Sequence, residues 1–378
     1  MAKAGRVSAA ISQQPAPSPY QTTAECEEQA VPRSEVARVR SELFVEFVRG
    51  MNRSGIPYCL VSGYENYPRL HDSDVDFMVR SEDAPRIGPL LHDVANRCGG
   101  LLVQAIQHET AGCYHVLAKQ VGDHVAYLHP DCATDYRRDG RLWLRADEVI
   151  RNRRRFRTFF VPAVADEFQY YLIKKILKQQ ITRIEFQRVA ALYVSRPEEC
   201  CERLRHFWST RTTRALVSAI VTADIEWIQP HLRDLLEELR RSRPLENVLK
   251  RGVQRFHDWH RRTSRVFHPT GLSVSIRGGN EAQRWELATG LERNLRPAFR
   301  RTEIIPEGQS DGRRVSASAL LSTVRSTLII RKDSRSMWRW FAPSGICFDL
   351  SETGRPTIEG ATEIVLQLMA NRLQRRIA

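Results

Sequence analysis

Residues 56–79 read IPYCLVSGYENYPRLHDSDVDFMV, and the reading of this stretch decides the fold. Its first run, Tyr58-Cys59-Leu60-Val61, is apolar and is bounded by Pro57 and by Ser62-Gly63, which predicts a short buried strand followed by a tight turn. Its second run, Asp72 to Val79, alternates polar and apolar residues. Successive strand residues point to opposite faces, so Asp74 and Asp76 share one face while Val75, Phe77 and Val79 share the other and can enter a core. Two carboxylates side by side repel each other unless a positive charge sits between them. Magnesium prefers oxygen donors and takes one or two carboxylates together with substrate phosphates, so Asp74 and Asp76 are candidate ligands. Gly63, lacking a Cβ, allows backbone N–H groups to approach a phosphate. Alternating aspartates on their own also mark the wet face of an antiparallel edge strand, and that reading stands beside the metal-binding one.

The Ser62-Gly63 turn followed by Ser73-Asp74-Val75-Asp76-Phe77 resembles the signature of the nucleotidyltransferase superfamily, in which a Gly-Ser type turn precedes an Asp-x-Asp strand. The resemblance extends over roughly Leu43 to Lys178. It implies a mixed-sheet α+β domain and a third carboxylate on a neighbouring strand, for which Asp131, after the apolar run Val125 to Leu128, is the best match. The segment Asp131 to Arg141, DCATDYRRDGR, resembles a bacterial branch of these proteins associated with surface-polysaccharide genes. By that resemblance Asp74, Asp76 and Asp131 would bind two Mg²⁺ ions and carry the chemistry. Ser62 and Gly63 would hold the phosphates of an NTP, and the acceptor would be a sugar phosphate, a protein or RNA. Polysaccharide-biosynthesis proteins are implied as possible partners. A non-enzymatic alternative, a nucleotide-binding or scaffold protein with degenerate domains, remains open, and its discriminator is whether Asp131 lies beside Asp74 and Asp76.

The chain has 378 residues, enough for two or three domains with cores of their own. Hydrophobic residues make up 42% and charged residues 27%, the balance of an ordinary globular protein, and no run reaches the ~20 apolar residues of a membrane helix. The first residues have a basic start but no compact apolar stretch, which argues for a cytoplasmic protein rather than a secreted one. Eight cysteines show no CxxC pair and no Cys/His metal spacing, consistent with free thiols in a reducing compartment. The net charge of +14 favours anionic partners without choosing among nucleotides, nucleic acid, phosphorylated sugars and membrane surfaces.

In chain order, residues 1–36 are rich in Pro, Gln and Ser and read as a disordered tail. A nucleotidyltransferase-like domain is expected over 37–160. It would open with a helix carrying Val39, Leu43, Phe44, Phe47 and Val48 on one face. A second helix is expected over Ile87 to Arg97, with strands at Leu101 to Ile106, Tyr114 to Leu117 and Val125 to Leu128. The run Arg151 to Arg157, RNRRRFR, reads as a solvated face pairing with Asp147 and Glu148, with phosphate contact as the alternative. A helical region is expected over 161–265. Phe168, Tyr171, Leu172, Lys175 and Leu177 would form its first packed face, and Lys174 and Lys178, four residues apart, would lie near a bound nucleotide. His115, His124 and His129 have no zinc-site spacing and read as structural. No nucleophile-elbow motif is present, and RNA binding through the arginine-rich segments stays open as a third reading, which steep loss of affinity with salt and no metal dependence would mark.

Beyond 266, Gly271 to Gly279 reads as a buried strand running into a glycine turn, and Glu281 to Leu295 as a helix. Gly271 to Arg301 is similar to the start of thymidylate-kinase-like P-loop domains, which commonly follow the nucleotidyltransferase-like domain in that bacterial branch. A working P-loop reads GxxxxGK[ST]. Here Gln283 stands for the second glycine, Arg284 for the lysine and Trp285 for the metal-binding hydroxyl, so a degenerate domain without phosphotransfer is expected over 266–378. Thr327 to Ile330, leading to Arg331-Lys332-Asp333, and Cys347 to Leu350 read as further strands. Ile364 to Arg376 reads as a closing helix. The expected fold class is therefore α/β throughout: a mixed sheet, a helical middle and a remnant P-loop sheet.

Overall fold

The computed structural model describes residues 33–69, 74–109, 111–245, 252–253, 256–257, 259–261, 263, 270–305, 326–332, 345–351 and 356–377. The expected tail lies almost wholly outside the described residues, as do Asp72, Ser73 and Asp333.

The fold is α/β, built on a mixed sheet. Its strands are β1 (Tyr58–Leu60), β2 (Val75–Val79), β3 (Leu101–Glu109), β4 (Gly112–Val121), β5 (His124–Leu128) and β6 (Pro130–Ala133). The order is β1-β2-β6-β4-β3, with β5 also paired to β4. Only the β2–β6 pair is parallel, and it aligns Asp76 with Asp131. The apolar face of β2 does what its alternation dictates: Val75, Phe77 and Val79 are fully buried against α1 (Arg33–Ser54) and α2 (Ala84–Arg97). Helix α2 starts three residues before the periodic apolar stretch because Pro85 sits at its first turn, where a missing N–H costs nothing. It ends at Gly99, whose positive φ of 65° closes a helix C-terminus at no steric cost.

The opposite face of the sheet is covered in two parts. Over β1, β2 and β6, Met78, Cys59 and Val61 pack with Leu144, Val149, Ile150 and Tyr170. These come from β8 (Arg141–Arg145), α3 (Ala146–Arg151) and α4 (Val164–Lys178). Strand β8 forms a hairpin with β7 (Asp135–Arg138) through Asp139 and Gly140, both at positive φ. Asp-Gly is the standard sequence sign of such a turn, and it lies inside the DCATDYRRDGR segment. Over β3, β4 and β5, Val103, Val116, Ala118 and Tyr127 share one apolar core with the C-terminal part of the chain.

That C-terminal part is a parallel sheet of β11 (Leu272–Arg277), β12 (Arg301–Ile305), β13 (Thr327–Lys332) and β14 (Gly345–Asp349), in the order β12-β13-β11-β14. Its helices are α9 (Glu281–Leu295) and α10 (Ile358–Ile377). The first is the helix expected after the glycine turn, at the same bounds. Tyr127 donates a 2.8 Å hydrogen bond to the carbonyl of Asn294, and Gln104 one of 2.7 Å to that of Ala298. The C-terminal sheet is therefore built into the first domain's core.

Helices α4, α5 (Arg183–Ser195), α6 (Pro197–Arg205), α7 (Thr210–Val221) and α8 (Ile225–Ser242) form the helical region around Phe168, Phe186, Trp208 and Leu216. Their starts are encoded locally: Thr182 and Glu185 make a capping box, while Ser209 and Asp224 cap α7 and α8. Helix α4 departs from the single packed face expected of it. Ten of its residues, including Asp166 and Glu167, are buried, because it lies between the sheet and the other helices.

The arginine-rich run also differs from expectation. It supplies β9 (Arg154–Phe156), paired to β10 (Phe159–Val161), so that of its arginines only Arg151, Arg155 and Arg157 are exposed as a solvated face requires. Arg154 reaches Glu167, Arg157 donates to the carbonyl of Tyr67, and Arg153 lies 4.8 Å over the Phe160 ring. Asp147 and Glu148 instead face Arg80 and Arg145. Aromatic neighbours and buried acids on other elements recruited the run, and neither is visible in local charge pattern.

Candidate functional site

Strand β1 delivers the chain to Ser62-Gly63. Gly63 adopts φ 70° and ψ 8°, the left-handed region, and caps a single 3-10 turn, Tyr64–Asn66. A Cβ built on Gly63 would meet nothing closer than the Tyr67 hydroxyl at 3.9 Å, so the demand for glycine is conformational rather than steric. Gly63→Ala should therefore lower stability by about 1 kcal/mol, read as a shift in the urea midpoint; an unchanged midpoint would contradict the left-handed turn.

The Ser62 hydroxyl donates a 2.6 Å hydrogen bond to Asp76 Oδ2, and Lys174 Nζ donates to the same oxygen at 2.9 Å. Lys174 also reaches the Tyr170 hydroxyl at 3.0 Å. Burial works against the Lys174 ammonium, but Tyr170 and the Asp76 carboxylate outweigh it and hold its pKa above the ordinary lysine value. Lys174 is thus a fixed positive charge on Asp76 at neutral pH. Lys178, one turn on and exposed, has its pKa lowered by desolvation and by Lys174 and Lys175.

Asp131 stands beside Asp76 in the parallel register, and Tyr114 stands beside Asp131 on the next strand. The Tyr114 hydroxyl lies 3.4 Å from Asp74 Oδ1, and His129 Nδ1 lies 4.0 Å from the same oxygen. Asp74 precedes β2 and is half exposed, so it enters the site from the strand's mouth. His129 stacks on Tyr114 and on Tyr127, with centroids 5.7 and 5.9 Å apart. By strand parity Asp76 and Asp131 lie on the sheet's second face, between the α4 side and the C-terminal side.

Among the described residues no group of three or more His, Cys, Asp or Glu side chains could hold a metal ion. The available donors are nevertheless all carboxylate oxygens, Asp76 and Asp131 on adjacent strands and Asp74 just before β2. Magnesium needs only one or two of these when substrate phosphates complete its shell, so the donor chemistry fits.

The structure joins Ser62, Gly63, Asp76, Asp131 and Lys174 around one end of the β2–β6 pair, with Asp74 at its edge and Lys178 on its periphery. It also reveals a buried support that the sequence reading missed. Glu167, fully buried, accepts from the Tyr64 hydroxyl at 2.6 Å, from Arg188 at 2.6 Å and from Arg154 at 3.3 Å. Arg188 also pairs with Glu65. Because Tyr64 follows Gly63 directly, this network anchors the glycine turn to α4 and α5. Asp166-Glu167 at a helix start reads in sequence as a pair of dipole-stabilising charges, which hides the role.

In the C-terminal sheet, Gly278 and Gly279 have φ of 64° and 60°, and the Arg284 guanidinium donates to their carbonyls at 3.2 and 2.9 Å. Lys332 Nζ lies 4.1 Å over the Trp285 ring. The loop is thus filled by its own arginine.

No family model matches the chain, and no curated protein matches it. One solved structure, described as a "putative nucleotidyltransferase from H. pylori", aligns with a TM-score of 0.26 and 10% identity, over 55% of this chain and 97% of that one. Among the described residues no helix is long and apolar enough to cross a membrane.

Proposed function

We propose that the chain is a nucleotidyltransferase, transferring a nucleotide from an NTP to an acceptor hydroxyl. The observation that carries this reading is the parallel register of Asp76 with Asp131, beside a left-handed glycine turn whose Ser62 hydroxyl bonds to Asp76. Carboxylates paired on adjacent strands next to a phosphate-accessible turn suit phosphoryl chemistry. An edge strand with a wet face does not fit, because β2 is paired on both sides, to β1 and β6.

One or two of Asp74, Asp76 and Asp131 would hold Mg²⁺, with substrate phosphates completing its shell, and the ion when bound supplies neutralisation of the triphosphate charge. The Ser62-Gly63 turn binds the phosphates through backbone N–H groups, and Lys174 and Lys178 add positive charge on the α4 side. Asp131 takes the proton of the acceptor hydroxyl. The acceptor oxygen then attacks the α-phosphorus in line, the bond from that phosphorus to the α,β-bridging oxygen breaks, and its electron pair leaves with pyrophosphate. A sugar phosphate, a protein and RNA are the acceptor classes, and surface-polysaccharide synthesis is the process we assign by resemblance.

The C-terminal sheet, in this reading, is a remnant of a thymidylate-kinase-like domain. Its parallel order, with the first strand central and followed by a glycine turn and a helix, supports that ancestry. Arg284 in the loop and Trp285 in place of a hydroxyl leave it without phosphotransfer. Its apolar helices cover β3, β4 and β5 and so wall one side of the carboxylate site.

The competing reading is a nucleotide-binding scaffold without activity, favoured by one observation: a lysine, not a metal-ready trio, neutralises Asp76. Incubation with each NTP labelled at the α-phosphate, with Mg²⁺ and a panel of sugar phosphates, RNA and the protein itself, separates the two. Label transferred with stoichiometric pyrophosphate release is expected. Saturable NTP binding without transfer to any acceptor class would favour the scaffold.

A further inference from the structure

A cavity of about 460 Å³ opens beyond the ends of β2 and β6, away from the carboxylates. It is bounded by the β7–β8 hairpin, α3, α4, α6 and the end of α8, within the size range of small-molecule sites. The sheet's second face leads towards it in steps of two: Asp76, Met78, Arg80 on β2 and its extension, and Asp131, Ala133, Asp135 on β6 and its extension. Met78 and Ala133 pack with Tyr136 and Tyr170 between the carboxylates and the cavity, so the two sites are separated by an apolar layer.

Five arginines line this cavity: Arg80, Arg137, Arg145, Arg203 and Arg243. Two have close ionic partners. Arg137 pairs with Asp135 at 3.0 Å, and Arg203 with the buried Asp166 at 2.6 Å. The other three are held loosely. Arg80 approaches Asp147 through Nε at 3.4 Å, too poorly aligned for a hydrogen bond, and Glu82 through a terminal nitrogen at 3.7 Å. Arg145 is 3.9 Å from Glu148. Arg243 has no carboxylate partner among the described residues and lies 5.1 Å over the Phe207 ring. The lining carboxylates do not cancel this charge. Asp135 is turned to Arg137 and the N–H of Ala146, and Asp147 and Glu148 are more than half exposed on the rim.

Arg80 Nε makes only a long, poorly aligned contact to Asp147, and Arg243 has no carboxylate partner among the described residues, so a ligand oxygen would improve the pairing of both. Guanidinium forks match phosphate oxygens bidentately. We propose that this cavity is a binding site for a small molecule carrying two or more phosphate groups, distinct from the carboxylate site and independent of whether that site transfers nucleotides.

The test is calorimetric titration of the full-length chain with sodium pyrophosphate in EDTA-containing buffer, where the carboxylates have no metal and repel the anion. Saturable binding tighter than about 1 mM is expected, with at least tenfold weaker binding for Arg80→Gln/Arg243→Gln and unchanged binding for Asp76→Asn. Arg243 is exposed, and its guanidinium covers only one face of the Phe207 ring, so Arg243→Glu alone serves as the second variant. Its circular dichroism should match the native protein while its pyrophosphate affinity falls at least tenfold. Absence of saturable binding by the native chain, or native affinity in both arginine variants, overturns the proposal. So does an altered affinity in Asp76→Asn, tighter or weaker, which would locate the anion at the carboxylates.

Discussion

Glu167→Ala should destabilise the fold by about 3 kcal/mol, the loss expected when a buried ionic network is broken by removing one partner. The fully buried Glu167 side chain gathers Tyr64, Arg154 and Arg188. Removing it leaves two guanidiniums facing each other and a buried phenol without its acceptor. The Tyr64 phenol cannot compensate by ionising, because burial, the largest cause of its raised pKa, persists when Glu167 is removed. Arg154 and Arg188 side chains are 39% and 21% exposed, so water recovers part of the lost interaction, and the figure sits at the lower end for a broken buried network. Urea unfolding followed by circular dichroism measures it. The loss should extend to function, because the glycine turn loses its anchor to α4. A change below about 1 kcal/mol, the scale of a surface pair, would mean that Glu167 is not the hub.

Asp76→Asn should do the opposite: leave the fold nearly intact and weaken Mg²⁺-dependent nucleotide binding by about a hundredfold or more. Asparagine keeps the size and one carbonyl oxygen, so it can still accept from Ser62. Lys174 loses its ion pair but keeps the Tyr170 hydroxyl. Both side chains of that pair are partly exposed, at 20% and 25%, so its loss costs about 1 kcal/mol or less. What disappears is the charge that a divalent ion and its bound phosphates require. A residue that stabilises little and yet controls binding is the pattern of a working site.

How much of this was legible beforehand follows from the range of each interaction. The strand alternation around Val75, Phe77 and Val79, the α1 face and the helix at Glu281–Leu295 all stood in the sequence, because local period and capping dictate them. The match of Asp131 to Asp76 and the nearness of Lys174 came from resemblance and helical spacing, and the structure brings all three together. Two features depend on distant parts of the chain, and one is local. Arg154 was read as surface because its partner Glu167 is thirteen residues away on a helix whose burial only the assembled domains determine. The β7–β8 hairpin is signalled locally, by Asp139-Gly140 between two short strands. The sharing of one core between Tyr127 and α9 follows from no local pattern, since each surface reads as the interior of its own domain.

The measurement closest to the central claim is NTP binding by calorimetry on the native chain and on Asp76→Asn, each with and without Mg²⁺. If Asp74, Asp76 and Asp131 form a nucleotidyltransferase site, the native chain binds NTP with Mg²⁺ and loses most of that affinity in EDTA. Asp76→Asn then binds weakly in both conditions. Native binding that ignores the metal, or an Asp76→Asn chain that binds as well as the native one, would contradict it.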